Sequence, residues 1–138
     1  MGNPFFITLR LFPVAPTTNN LYVSVGKRRV PSKQLNLYKQ LVHTWYLQNM
    51  REVNEAALYL KGKGPLTLDL IWRGPRLRFY TKDGRVRRLD ASNRIKACED
   101  SLCQLLSIDD SVFFRCSIEK RVIEDRHEES IDVLITKY

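Results

Sequence analysis

The stretch Leu66-Thr67-Leu68-Asp69-Leu70-Ile71-Trp72 decides the fold. Leu66, Leu68, Leu70 and Trp72 fall on every second position, the period of a strand with one face in a core. Gly62 and Gly64-Pro65 precede it and end the element before. Downstream, Ala91, Ile95, Cys98, Leu102, Leu105 and Leu106 recur at steps of 4, 3, 4, 3 and 1. That narrow apolar stripe has helical period and predicts a helix over 91–106. Residues 112–123 and 131–135 read as the last strands, with 125–129 a charged turn between them. Upstream, Ser32 is a favoured N-cap type. Leu35, Tyr38, Val42, Trp45, Tyr46, Met50 and Val53 follow at helical spacing, so one long helix is expected from Ser32 to near Tyr59.

The flanks complete the pattern. Residues 5–12 are rich in β formers, alternate from Ile7 and lie between Pro4 and Pro13, which predicts the first strand. Residues 13–20 read as a loop, 21–25 as a short strand, and 26–31, with Lys27, Arg28 and Arg29, as a basic loop. Asp83-Gly84 is a hairpin turn signal, so 77–81 and 85–89 are expected to pair. The whole is an α+β chain, expected to form a single domain over 1–138.

Composition narrows the function. The chain has 138 residues, 43% hydrophobic and 28% charged, which is ordinary for a globular protein. No run approaches the roughly 20 apolar residues of a membrane span, and the N-terminus lacks the pattern of a secretory signal. A cytoplasmic, nucleoid-associated protein with no membrane partner is expected. Cys98, Cys103 and Cys116 are odd in number and show no Cys-x-x-Cys pair, which argues against a disulfide framework or a zinc site. Charge is uneven: residues 1–89 carry a net +12 and residues 90–138 a net −4. A basic half joined to an acidic half suggests a polyanion partner, with the acids seating something the polyanion needs. Arg76, Arg78, Lys82, Arg85, Arg87 and Arg88 crowd one segment around Phe79 and Tyr80, the best candidate for a nucleic-acid-facing surface. An ordinary solvated hairpin is the plainer reading of that run, and core packing the plainer reading of Phe79, Tyr80 and Trp45.

The second helix carries a polar side as well. Asn93, Lys96, Asp100 and Gln104 recur at three- and four-residue steps. Asp90 stands just before the helix, and Asp109-Asp110 follows it. Phosphodiester hydrolysis needs an attacking water, charge neutralisation on the phosphate and a stabilised leaving oxygen, all of which a divalent metal can supply. Magnesium takes oxygen ligands and often only one or two protein carboxylates. Several acids near one Lys therefore suit metal-assisted phosphate chemistry, with the Lys stabilising transition-state charge. Each residue also has a structural reading: Asp90 as a helix cap, Lys96 as a partner of Glu99 or Asp100, and Asp109-Asp110 as turn residues.

Asp90-Ala91-Ser92-Asn93-Arg94-Ile95-Lys96, then Asp100-Ser101-Leu102, then Ile108-Asp109-Asp110, resembles the RusA family of Holliday junction resolvases. Pro13-x-x-Pro16-Thr17-x-Asn19-Asn20 resembles that family's start. The resemblance implies a mixed β-sheet with two main helices packed on it. It implies a homodimeric, magnesium-dependent endonuclease, with manganese as the substitute ion, that cuts branched DNA in recombination and repair. By position it assigns metal-binding catalysis to Asp90 and Asp110 and the catalytic Lys to Lys96, with Asn93 recurrent in the pattern. Asp100 and Asp109 are further candidate metal ligands, and Arg94 joins the expected DNA contacts. The family's second acid falls on Ser92, a weak neutral ligand at best. A nucleic-acid-binding protein for junction DNA or RNA, weak or inactive in cutting, is the alternative that Ser92 raises.

Overall fold

The computed structural model describes residues 6–16, 22–88, 91–124 and 128–138. The strands among the described residues are β1 Phe6–Phe12, β2 Tyr22–Val25, β3 Arg28–Pro31, β4 Leu66–Gly74, β5 Phe113–Val122 and β6 Ser130–Lys137. The helices are α1 Lys33–Gln48, α2 Met50–Leu60, a single turn α3 Arg76–Phe79, and α4 Ile95–Leu106. A four-stranded mixed sheet runs β1-β6-β4-β5. β6 is antiparallel to β1 and β4, and β5 is parallel to β4. The parallel pair needs a crossover, and that crossover contains α3 and α4. The chain is therefore α+β.

The alternation that identified β4 is seen along its whole length: Leu66, Leu68, Leu70 and Trp72 are buried, and Thr67, Asp69, Ile71 and Arg73 between them are half-buried. Ile131, Val133 and Ile135 of β6 join the same core, with Leu35, Tyr38, Val42 and Trp45 of α1 and Val53, Ala56 and Leu60 of α2. In β1, Leu11 takes φ 59° at an irregularity in the β6 register between Leu9 and Phe12. This bulge lets Leu9 and Phe12, three apart, both enter the core. Phe12 meets Trp45 edge-on at 4.9 Å, and Trp45 Nε1 donates to the Arg10 carbonyl at 3.0 Å.

Three expectations need correction. The long helix from Ser32 is two helices. Ser32 does cap the first, its hydroxyl accepting from Leu35 N–H at 3.1 Å. At Asn49 the backbone leaves the helical region (φ −125°, ψ 22°). Asn49 Nδ2 donates to the Trp45 carbonyl at 2.8 Å, which serves an orphan acceptor of the ending helix. Next, the basic loop 26–31 is the turn and second strand of a hairpin, β2–β3, with Gly26 at φ 62°. Finally, among the described residues the expected 77–81/85–89 hairpin pairs only near its turn: Tyr80 bridges Val86, Thr81 N–H donates to the Arg85 carbonyl at 2.8 Å, and Arg87 N–H donates to the Phe79 carbonyl at 2.8 Å. Pro75 leads into α3, which takes up the start of the first expected strand. The tight turn survives: Gly84, at φ 85°, donates to the Thr81 carbonyl at 3.0 Å. The helical turn wins because it swings Phe79 into the core, edge-on to Trp72 at 5.1 Å.

Candidate active site

α4 holds the site in place by burying its other side. Ala97, Cys98, Leu102, Cys103 and Leu106 are buried, a broader stripe than the sequence period suggested. A 3-10 turn, Ser92–Arg94, leads directly into it. This leaves Lys96, Glu99 and Asp100 on the outer side of the first two turns. At the far end Ser107 adopts the left-handed conformation (φ 55°) and its N–H donates to the Cys103 carbonyl. The chain then doubles back into a second 3-10 turn, Asp110–Val112, ahead of β5.

That reversal divides the Asp109-Asp110 pair. Asp109 caps the new turn, Oδ1 accepting from Ser111 N–H at 2.9 Å. This hydrogen bond holds the Asp109 carboxyl below its ordinary pKa. Asp110 instead faces α4. Lys96 Nζ lies 3.0 Å from Asp100 Oδ1 and 3.6 Å from Asp110 Oδ2. Glu99, Asp100 and Asp110 each offer an oxygen, and the three oxygens lie within 4.8 Å of one another. Three hard anionic donors this close, open to solvent, fit a magnesium-type cation that keeps several waters.

The electrostatics are those of a concentrated negative site with one cation in it. The hydrogen bond and charge of Asp100 raise the Lys96 pKa, helped by Asp110 and Glu99, so Lys96 is an ammonium at neutral pH. Cys103 and Cys116 flank the acids. Burial first, and then the charge of Glu99 and its neighbours, pushes both thiols up to about 12. The Cys116 thiol stays protonated and donates to Glu99 Oε2 at 3.1 Å.

Of the residues singled out in the sequence, Lys96, Asp100 and Asp110 come together. Asp109 is turned to its capping role and is not one of the clustered three. Asp90 lies outside the described residues. Ser92 opens the 3-10 turn on an exposed position. Asn93 follows within that turn. Glu99 was missed as a ligand, although its spacing gave a signal: at i+3 from Lys96 and next to Asp100, it shares their side of the helix.

The expected DNA-contacting cations separate into two groups. Arg94 is 9% exposed, with Nη1 donating to the Ala15 carbonyl at 2.7 Å and its guanidinium 4.5 Å from the Trp72 ring centroid. Arg78 pairs with Glu129 at 2.8 Å and also lies over Trp72. Trp72 Nε1 donates to that same Glu129. Arg94 is thus a buried structural cation, and Arg78 is largely occupied by the body of the protein. Arg76 lies over Tyr80, and Phe79 is buried, which leaves its ring no room for a base. Arg85, Arg87 and Arg88 line an open cleft of about 650 Å³ with Leu77, Arg78, Thr81 and Val86. Lys82 is exposed at the turn. Ser92 is four residues after Arg88, which limits their Cα atoms to about 15 Å apart. The cationic cleft and the start of the site helix are therefore neighbours.

No helix among the described residues is long and apolar enough to cross a membrane. A search of curated proteins gave no match. The family model for endodeoxyribonuclease RusA matches residues 12–134, nearly the whole chain, and spans β4, the cationic cleft and the acidic cluster alike. The chain belongs to the endodeoxyribonuclease RusA family.

Proposed function

From that membership, we propose that this chain is a metal-dependent endonuclease that resolves four-way DNA junctions, acting as a homodimer in recombination and repair. The observation that carries the reading is the Lys96 ammonium set between Asp100 and Asp110, with Glu99 completing three carboxylates within 4.8 Å. Glu99, Asp100 and Asp110 would hold the divalent ion, with Asp90 as the family's further acid. A bound magnesium supplies Lewis acidity to a phosphate oxygen and a more acidic water. Glu99 would contribute the carboxylate that Ser92 does not.

The residues of the chain do the rest. Arg85, Arg87 and Arg88 neutralise the backbone of a junction arm, so binding falls steeply with salt. Lys96 is a poor general base, because its raised pKa keeps it protonated. Its chemistry is that of a fixed positive charge. Beside the carboxylates that would hold the ion, the Lys96 ammonium would face the anionic phosphate and stabilise the charge that builds there during attack. Two such sites related by a two-fold axis match a substrate with two-fold symmetry. The products are nicked duplexes with 5′-phosphate and 3′-hydroxyl ends.

The test is cleavage of a synthetic four-way junction by wild type and Asp110→Asn, in magnesium and in EDTA. Wild type should cut only with magnesium, and Asp110→Asn should bind and not cut. Junction binding by wild type without any cutting in magnesium would favour a binding protein over a nuclease.

A further inference from the structure

Among the described residues the hairpin β2–β3 pairs with no other strand, and it carries a charge pattern that the site above does not use. Residues 22–29 are all exposed and Val30 is half-buried. A lone two-stranded ribbon is marginally stable in water, and this one presents both faces to solvent. The register, Tyr22↔Pro31, Val23↔Val30, Ser24↔Arg29 and Val25↔Arg28, divides its side chains. Tyr22, Ser24, Arg29 and Pro31 share one face, with the Arg29 guanidinium 5.5 Å from the Tyr22 ring centroid. Val23, Val25, Arg28 and Val30 share the other. Lys27 occupies the turn. The ribbon thus bears one cation on each face and one at its tip.

The first acidic residue in the chain is Glu52. Among the described residues, no carboxylate forms an ion pair with Lys27, Arg28 or Arg29, whereas Arg73, Arg78 and Arg85 all have one.

We propose that the β2–β3 ribbon inserts into a groove of a duplex arm of the DNA substrate, with Arg28 and Arg29 meeting the phosphates of opposite walls and Lys27 leading. This rests on the DNA-cleaving reading above and adds a contact surface separate from the 76–88 cleft. A groove has a row of phosphates on each side, which a ribbon charged on both faces matches; a flat anionic surface would engage only one face. The major groove of B-DNA is about 12 Å wide and admits a two-stranded ribbon. Val23 and Val25, 48% and 59% exposed, then lie against sugars and thymine methyls rather than water.

The experiment is equilibrium binding of the full chain to a labelled four-way junction without divalent cation, from 50 to 200 mM salt. Wild type is compared with Lys27→Ala/Arg28→Ala/Arg29→Ala, and thermal melting and light scattering are run on both. Three lost phosphate contacts should flatten the slope of log affinity against log salt by about 2.7, so that wild type loses about 40-fold more affinity than the variant across that range. A triple glutamine variant gives the same readout if the alanine chain does not fold. A folded variant with the wild-type slope overturns the ribbon contact and leaves the nuclease reading standing. A wild type whose affinity for the junction does not depend on salt overturns both. A changed particle mass with an unchanged slope makes the ribbon a contact between copies, and likewise overturns the proposal.

Discussion

Glu99→Gln separates a metal site from a chance cluster of surface acids, because only a metal site lets magnesium reverse the stability order of variant and wild type. Glu99, Asp100 and Asp110 present oxygens within 4.8 Å of one another. At that distance two like unit charges repel by about 0.9 kcal/mol at the dielectric constant of water. Glu99 takes part in two such repulsions. Salt at 0.15 M screens over about 8 Å and reduces each to roughly half. The attraction of Glu99 to Lys96, one helical turn back, offsets part of what remains. The glutamine keeps the shape and an oxygen that accepts from the Cys116 thiol. The net expectation in metal-free buffer is a gain of about 0.5 kcal/mol, or roughly 1–2 °C in melting temperature for a chain of this length.

Magnesium should invert the order. A ligand that binds only the folded state at ten times its dissociation constant adds about 1.4 kcal/mol. Wild type should gain this, and the variant, lacking one ligand, should gain little. The assay is differential scanning calorimetry of both proteins in EDTA and across a magnesium titration. The reasoning is refuted if Glu99→Gln melts below wild type in EDTA, or if magnesium raises both melting points equally.

Two more predictions follow from the same geometry. Arg94→Met removes a charged hydrogen bond to Ala15 and a stacked contact with Trp72; it should cost about 2–3 kcal/mol of stability by denaturant titration while leaving the salt dependence of junction binding unchanged. A flatter salt slope would return Arg94 to the DNA surface. Alkylation of Cys116 at pH 8 should be slow, because burial and Glu99 hold its pKa at about 12. Magnesium, by neutralising Glu99, should speed it on the order of a few-fold. An unchanged rate at saturating magnesium would argue that the ion sits elsewhere.

The parts of this molecule that the sequence made legible are those governed by one-dimensional period. β4 buries every second residue, and α4 turns its apolar side inward, because a single face of each meets a single core. Lys96, Asp100 and Asp110 could be grouped for the same reason: helical spacing and a short reversal bring them together. What stayed hidden depends on partners distant in the chain. Arg73 and Arg78 count as free cations in a linear reading, yet the acids that bind them are Asp132 and Glu129, more than 50 residues later. Arg94 lies two residues before Lys96 in sequence but turns the other way, onto the ring of Trp72. Conversely, Lys27, Arg28 and Arg29 looked like a modest basic loop. The hairpin holds all three out, and none of them is paired with a carboxylate among the described residues, whereas three of the seven cations over 73–88 are. Local density of Arg and Lys therefore measures how much positive charge a segment brings. The share that remains for DNA is decided by the acids the fold delivers to it, and this is why the ribbon outranks part of the Arg-rich segment as a place for phosphates.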